Sequence, residues 1–230
     1  MSTRGMSTAL DLIAEAFAPL PGRRLLDIGC GAGALVRALT ARGARVAGLD
    51  PSQAALVRAR ASVPGADLRL GAAETLPWPD GAFDGAVFLN SLHHVPGTGM
   101  AAALREAARV TGPGRGVVVV EPLAEGSFFL AMRRVEDETA IRAEAAAALA
   151  ACVAEGVVAI ERDTVIDRVE TVADLDAFLA RVTAGDPDRE AAARAHRDAV
   201  AADFRAQAER GEGGFVLRQP LRVVILRVAG

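Results

Sequence analysis

The chain contains no lysine and no tyrosine, and only one tryptophan and two cysteines among its 230 residues. Cys30 and Cys152 are too few for a disulfide framework, and no CxxC pair or zinc-ligand spacing is present, so a reducing, cytoplasmic compartment is expected. With lysine absent and alanine abundant, the exclusive use of arginine reads as a coding bias, and an isolated arginine is weak evidence of function. The 26 basic side chains are outnumbered by 29 acidic ones, for a formal charge of −3. That balance argues against general nucleic-acid binding, which requires clustered cations to displace counterions from phosphates. Long apolar runs are also missing. The stretch Ala145 to Ala154 is bracketed by Glu144 and Glu155 and falls far short of the roughly 20 residues that span a bilayer. The N-terminal stretch from Ala9 to Leu20 is interrupted by Asp11 and Glu15, which a signal peptide would not tolerate. No membrane partner is expected.

What is present is a globular composition, 51% hydrophobic and 24% charged. At this length one core can bury roughly 70–75% of the surface of the unfolded chain, so folding needs neither disulfides nor a structural metal. Short β-branched or leucine-rich runs alternate with alanine-rich amphipathic stretches: Arg24–Ile28 then Ala34–Arg42, Arg45–Leu49 then Ser52–Ala61, Asp67–Leu70, Asp84–Leu89 then Met100–Val110, and Gly116–Glu121. That alternation predicts an α/β fold, a parallel sheet with helices on both faces, because parallel neighbours need crossover connections. Beyond it, Ser127 to Ala154 reads as one long helical stretch with a polar insert at 133–138, and Arg162 to Val169 as a strand. A capping box from Thr171 to Asp174 predicts a short helix through Val182, and Asp186-Pro187 opens another. Phe215 to Val228 reads as a closing strand, with Pro220 placed at a bulge, bend or sheet edge because proline cannot donate to a ladder. The whole chain is expected to be a single domain, with 1–121 as a ligand-binding half and 122–230 as a helical lid or acceptor-binding region plus the last strands.

The segment from Leu25 to Gly33, LLDIGCGAG, runs from a strand through a glycine turn into a helix. Glycines let the backbone turn sharply and approach a ligand at a helix start. Gly29, Gly31 and Ala34 also fit a G-x-G-x-x-A pattern, and Asp50 follows Gly29 by 21 residues, as a dinucleotide site requires. Asp27 separates two readings. Beside a pyrophosphate it would set negative charge against negative charge in a poorly solvated crevice, whereas a cationic ligand reverses the sign. A turn or helix-cap role for Asp27 is the plainer alternative.

At this point the sequence resembles the class I S-adenosylmethionine-dependent methyltransferases, in particular the methyltransferase type 11 group. The resemblance is carried by Leu26–Gly33, by Gly48-Leu-Asp-Pro-Ser52, by the stretch Gly71 to Asp84 and by Asn90-Ser-Leu-His-His-Val95. It implies a Rossmann-like, seven-stranded, mostly parallel sheet with an antiparallel last strand, and S-adenosylmethionine as cofactor, whose sulfonium and ammonium suit Asp27. It further implies that Asp27, Gly29, Cys30 and Gly31 line the aminoacyl end, and that Asp50 binds the ribose while Pro51 and Ser52 pack beside the adenine. Ala73 and Glu74 would then sit at the adenine edge, with Asn90 and Ser91 bordering the methionyl portion. Where related sequences often carry an acidic residue for the adenine amino group, this chain has Ala72.

Methyl transfer is an in-line displacement, accelerated by alignment and exclusion of water. A base helps if the acceptor is a hydroxyl, and His93 and His94, after the fourth strand, are the candidates, with strand capping and packing as the bland alternative. No neighbouring ligand spacing completes a metal site around them. For a small-molecule acceptor the candidate contacts are Glu121 after the fifth strand, and Phe128 and Arg133 on the inserted helix, which could equally be an ordinary amphipathic helix. A non-catalytic S-adenosylmethionine-binding protein and, less well, a nicotinamide-dependent oxidoreductase are the rival readings; the second lacks a tyrosine for hydride chemistry.

Overall fold

The computed structural model describes residues 8–184 and 186–230. Its helices are α1 (Ala9–Ala16), α2 (Ala34–Thr40), α3 (Gln53–Ser62), α4 (Met100–Thr111), α5 (Gly126–Met132), α6 (Thr139–Ala154), α7 (Leu175–Thr183), α8 (Pro187–Ala195) and α9 (Arg197–Gln207). The strands are β1 (Arg24–Ile28), β2 (Arg45–Asp50), β3 (Leu68–Leu70), β4 (Gly85–Leu89), β5 (Gly116–Pro122), β6 (Val158–Val172), β7 (Glu209–Gly211) and β8 (Gly214–Val228).

The strands form one sheet in the order β3-β2-β1-β4-β5-β8-β6, with β7 paired to β8. The pairs among β1 to β5 are parallel, with Asp27 level with Gly48 on one side and Val87 on the other. β8 is the antiparallel member. Val228 N–H donates to the carbonyl of Arg115 at one end, and Leu123 N–H to that of Pro220 at the other, so numbering falls along β8 as it rises along β5. The expected seven strands are all on the main path, and the eighth, β7, is a three-residue hairpin arm absent from the sequence pattern.

Val117 to Val120 and Leu25 to Ile28 are buried throughout, which is why these runs lack a polar alternation. Each of their apolar side chains contributes about 1.5–3 kcal/mol through burial. Among the described residues no helix is long and apolar enough to cross a membrane.

The chain divides into two compact units, one of residues 1–121, 143–166 and 222–230, the other of 122–142 and 167–221. In the first, α2 and α3 pack on β2 and β3 and on each other, and α4 packs on β4. The second has its own aromatic core, in which Phe178 stacks between Phe128 and Phe204 at centroid distances of 5.5 and 5.2 Å.

Three local expectations are corrected. The long helical stretch is two helices, because Asp137 turns its carboxylate onto the backbone N–H of Thr139 at 3.0 Å and competes with helical bonding. No Thr171 capping box forms: Thr171 stays in β6, and Asp174 caps α7 alone, accepting from Ala177 N–H at 2.8 Å. Pro220 lies inside a continuous strand that has neighbours on both sides. Leu123 donates to the Pro220 carbonyl, so in an antiparallel pair its own carbonyl would accept from residue 220, where proline has no N–H. Gln219 Nε2 and the Arg142 guanidinium supply that bond instead, each at 2.8 Å. Gly126 makes room for the ring, since a Cβ there would stand 2.3 Å from Pro220 Cδ.

Candidate functional site

The carboxyl ends of β1, β2 and β4 bring together Asp27, the loop 29–33, Asp50 to Ser52, and Asn90 with Ser91. Three glycines in the loop have left-handed φ, +77° at Gly29, +53° at Gly31 and +80° at Gly33, yet they serve different ends. A Cβ on Gly29 would meet Ser91 Cβ at 2.5 Å and one on Gly33 would press on Ala59 at 3.2 Å, whereas one on Gly31 would meet nothing within 4 Å. Gly29 and Gly33 are therefore explained by packing, and Gly31 fronts open space.

Four N–H groups of the loop are spent within the protein. Gly29 and Cys30 N–H both donate to the Leu49 carbonyl at 2.8 and 3.0 Å, and Gly33 N–H to the Cys30 carbonyl at 2.9 Å. Gly31 N–H donates to Asp50 Oδ2 at 2.7 Å, and Ser52 N–H to Asp50 Oδ1 at 2.8 Å. Asp50 thus clamps the loop after β1 to the start of α3, with lone pairs left over on both oxygens. A pyrophosphate would find these N–H groups already engaged. Ser52 caps α3 by accepting from Ala55 N–H, and Pro51 and Ser52 are exposed beside the clamp.

Asp27 lies within β1, 2% exposed, not in a turn or cap. Among the described residues no cation pairs with it. Burial first, and the neighbouring charge of Asp50 second, raise its pKa to about 7. Cys30 is buried too, and burial followed by the charges of Asp27 and Asp50 pushes its thiol up to about 12, which makes it a packing residue and a poor nucleophile.

Asn90 follows β4 with φ +53°, a left-handed conformation unusual outside glycine. Its N–H donates to the Val120 carbonyl at 2.8 Å, while its buried Oδ1 has no hydrogen-bond partner. An orphaned buried acceptor is costly in a folded chain, and at the carboxyl end of the sheet it marks a place for a ligand donor. Ser91 Oγ donates to the Ile28 carbonyl at 2.6 Å, tying the end of β4 to β1.

Ala73 is buried and Glu74 half-buried, with Glu74 lying where a Cβ on Gly99 would be. Ala72 is exposed and its carbonyl accepts from Thr75 N–H. Trp78 is a packing residue, edge-on to Phe83 at 5.3 Å, its Nε1 donating to Asp67.

Of the chemical candidates, His93 is buried in the 3₁₀ turn Leu92–His94, with Nδ1 hydrogen-bonded to Glu121 Oε2; His94 is exposed. Glu121 also accepts from Ser91 and Leu92 N–H at 3.1 and 2.9 Å through Oε1. Glu121, expected as an acceptor contact, is linked here to His93 and to the turn after β4, a linkage that the residues' positions in the sequence did not signal. Phe128 and Arg133 belong to the second unit. Phe128 is packed in its core with Phe178, and Arg133 is exposed at the end of α5.

Residues 26–120 match the family model described as a methyltransferase domain. The chain is 38% identical over 114 residues to a ubiquinone biosynthesis O-methyltransferase of Alkalilimnicola ehrlichii, covering 47% of this chain and 45% of that protein. It is 41% identical over 108 residues to a malonyl-[acyl-carrier protein] O-methyltransferase of Serratia marcescens, covering 47% and 41%. It therefore spans less than half the length of these curated relatives. Among solved structures, the fold is similar to the YcgJ protein of Bacillus subtilis, with TM-score 0.68 and 21% identity over 96% of this chain and 98% of that one. It is also similar to a geranyl diphosphate methyltransferase in complex with GPP and sinefungin, with TM-score 0.57 and 17% identity over 95% and 77%.

Proposed function

From a chain whose residues 26–120 are a class I methyltransferase domain, we propose an enzyme that transfers a methyl group from S-adenosylmethionine to a small-molecule acceptor in the cytoplasm. The observation that carries this reading is the pairing of a loop whose Gly29, Cys30, Gly31 and Gly33 N–H groups bond within the protein with a buried Asp27 that no cation among the described residues neutralises. Such a site disfavours a pyrophosphate and favours a cation. The open space at Gly31 and the unpartnered Oδ1 of Asn90 fit the cofactor's aminoacyl end.

Bound there, S-adenosylmethionine supplies a methyl group activated by positive sulfur. The chain's own residues bind and orient. Asp27, Gly29, Cys30 and Gly31 are assigned to the aminoacyl end, and Asn90 accepts from its ammonium with Ser91 buttressing the turn. Asp50 keeps acceptor capacity for ribose hydroxyls after clamping Gly31 and Ser52. Pro51, Ser52, Ala73 and Glu74 are assigned to the adenine, with no acidic partner for its amino group at Ala72. The second compact unit is assigned to acceptor binding, with exposed Arg133 as its candidate contact and Phe128 as a core support. Alignment in a water-poor site can itself account for about 7–11 kcal/mol of barrier lowering.

The test is transfer of radiolabel from methyl-tritiated S-adenosylmethionine to a panel of phenols, alcohols, carboxylic acids and amines. Labelled product that disappears in Asp50→Ala supports the proposal. Tight binding of the cofactor with no labelled product from any class would favour a binding protein without turnover.

A further inference from the structure

The amino edge of the sheet, at the opposite ends of β1 and β2 from the loop after β1 and Asp50, holds a second concavity. It is a cleft of about 460 Å³, a size within the range of small-molecule sites, about 300–1,000 Å³. Val46, Val63, Pro64 and Phe83 give it apolar walls, and Arg24 and Arg45 line it from the first residues of β1 and β2.

These two arginines are register partners on parallel strands, so their side chains leave the same face of the sheet about 5 Å apart. Like charges so placed repel. Among the described residues, neither guanidinium has a hydrogen bond or an ion pair, and the carboxylates beside them are committed elsewhere. Asp67, which also lines the cleft, holds the Arg69 guanidinium through both oxygens at 2.9 Å and accepts from Trp78 Nε1 at 3.1 Å. Asp84 accepts the backbone N–H of Arg24 at 2.9 Å and pairs with Arg115 at 2.7 Å. One bare arginine says little in a chain without lysine. Two in register over an apolar wall set out a recognition pattern. The walls are also tied in place: Arg45 N–H donates to the Arg23 carbonyl at 2.7 Å, Gly48 N–H to that of Asp67 at 2.9 Å, and the Arg60 guanidinium to that of Leu68 at 3.1 Å.

We infer that this cleft is a binding site for a phosphate monoester with an apolar body, its dianionic head held between Arg24 and Arg45 and its apolar part lying against Val63, Pro64 and Phe83. Two guanidiniums match two negative charges, and each offers N–H groups in the fork that suits phosphate oxygens. A bare hydrated ion would leave the apolar walls uncovered. The site lies at the other end of β1 and β2 from the one assigned to the cofactor, so both can be filled at once, and the inference does not depend on the methyl-transfer reading.

The test is calorimetric titration with naphthyl phosphate, inorganic phosphate and naphthol, at a pH where the ester is doubly charged and with or without S-adenosylhomocysteine. The proteins are wild type, Arg24→Gln, Arg45→Gln and Arg205→Gln, the last removing the same charge from an exposed position on α9. One equivalent of naphthyl phosphate should bind wild type and Arg205→Gln alike, whether or not S-adenosylhomocysteine is present. Affinity should fall about tenfold in each cleft variant, the size of one lost charge-assisted hydrogen bond. Inorganic phosphate and naphthol should each bind about tenfold more weakly than the ester or worse, since each keeps half of the recognition. Thermal unfolding of the cleft variants should be unchanged or slightly raised, because each relieves the repulsion between Arg24 and Arg45. No binding of the ester to wild type at millimolar concentration, equal affinity in Arg24→Gln and Arg205→Gln, displacement by S-adenosylhomocysteine, or inorganic phosphate or naphthol binding as tightly as the ester overturns the inference.

Discussion

Asp27 and Asp50 occupy neighbouring parallel strands, and the charge of Asp50 adds to burial in holding the Asp27 carboxyl up at about 7. An apo-protein therefore keeps a proton on Asp27 at mildly acidic pH, whereas a cationic ligand needs the carboxylate. Affinity for S-adenosylhomocysteine, which retains the ammonium, should fall about tenfold for each pH unit below about 7. Calorimetry in buffers of different ionisation enthalpy should detect one proton released on binding at pH 6, and none in Asp27→Asn.

The same group makes a signed contribution to stability. Its folded value of about 7 lies above the unfolded 3.8, so its contribution is complete below the unfolded value and is lost as pH rises through the folded one. Urea midpoints of the ligand-free protein, compared with Asp27→Asn, should show the wild type losing ground steadily between pH 4 and pH 7. A constant difference across that range would remove Asp27 as the titrating group.

Two glycines separate folding from binding. Gly31→Ala costs about 1 kcal/mol for its left-handed φ of +53° and meets no neighbour, so thermal unfolding should shift by a few degrees while S-adenosylhomocysteine affinity drops at least tenfold. Gly29→Ala drives a methyl to within 2.5 Å of Ser91 Cβ, and should destabilise by about 2–4 kcal/mol because a packed neighbour must move. Equal effects of the two substitutions on stability would contradict this division.

The proline inside β8 makes Gln219 a replacement donor. Gln219→Ala removes the 2.8 Å bond to the Leu123 carbonyl from a side chain 1% exposed, at an expected cost of about 1–3 kcal/mol. Pro220→Ala restores a backbone N–H opposite that carbonyl, so in a double-mutant cycle by urea denaturation it should recover part of the loss. Strict additivity would leave the bond exchange without support.

The cap of α7 offers a sharper comparison. Asp174→Ala should cost about 1 kcal/mol, and Thr171→Ala less than about 0.5 kcal/mol, because Asp174 alone accepts from Ala177 N–H while Thr171 is an exposed strand residue. Chemical denaturation of the two variants decides it.

The first strands and the glycine loop were readable because their signals are local. β1, the glycine loop and Asp50 lie within one strand–turn–helix–strand stretch, and buried strands, left-handed turns and strand ends leave direct marks in residue type. The rest depends on partners distant in sequence. Nothing near Glu121 announces that it binds the turn 91–93, since that bond exists only because β4 and β5 are parallel neighbours. The proline at 220 predicted a missing donor but not that Gln219 and Arg142 would replace it inside the sheet. The helical reading of 127–154 failed at Asp137 because a short carboxylate outcompetes the helix for one backbone N–H.

Calorimetric titration of the protein with S-adenosylmethionine, S-adenosylhomocysteine and NADH, repeated on Asp50→Ala and Gly31→Ala, tests the account most directly. Both adenosyl ligands should bind, NADH should not, and each variant should bind at least tenfold more weakly. Binding of NADH alone, or adenosyl-ligand affinity indifferent to both substitutions, would contradict it.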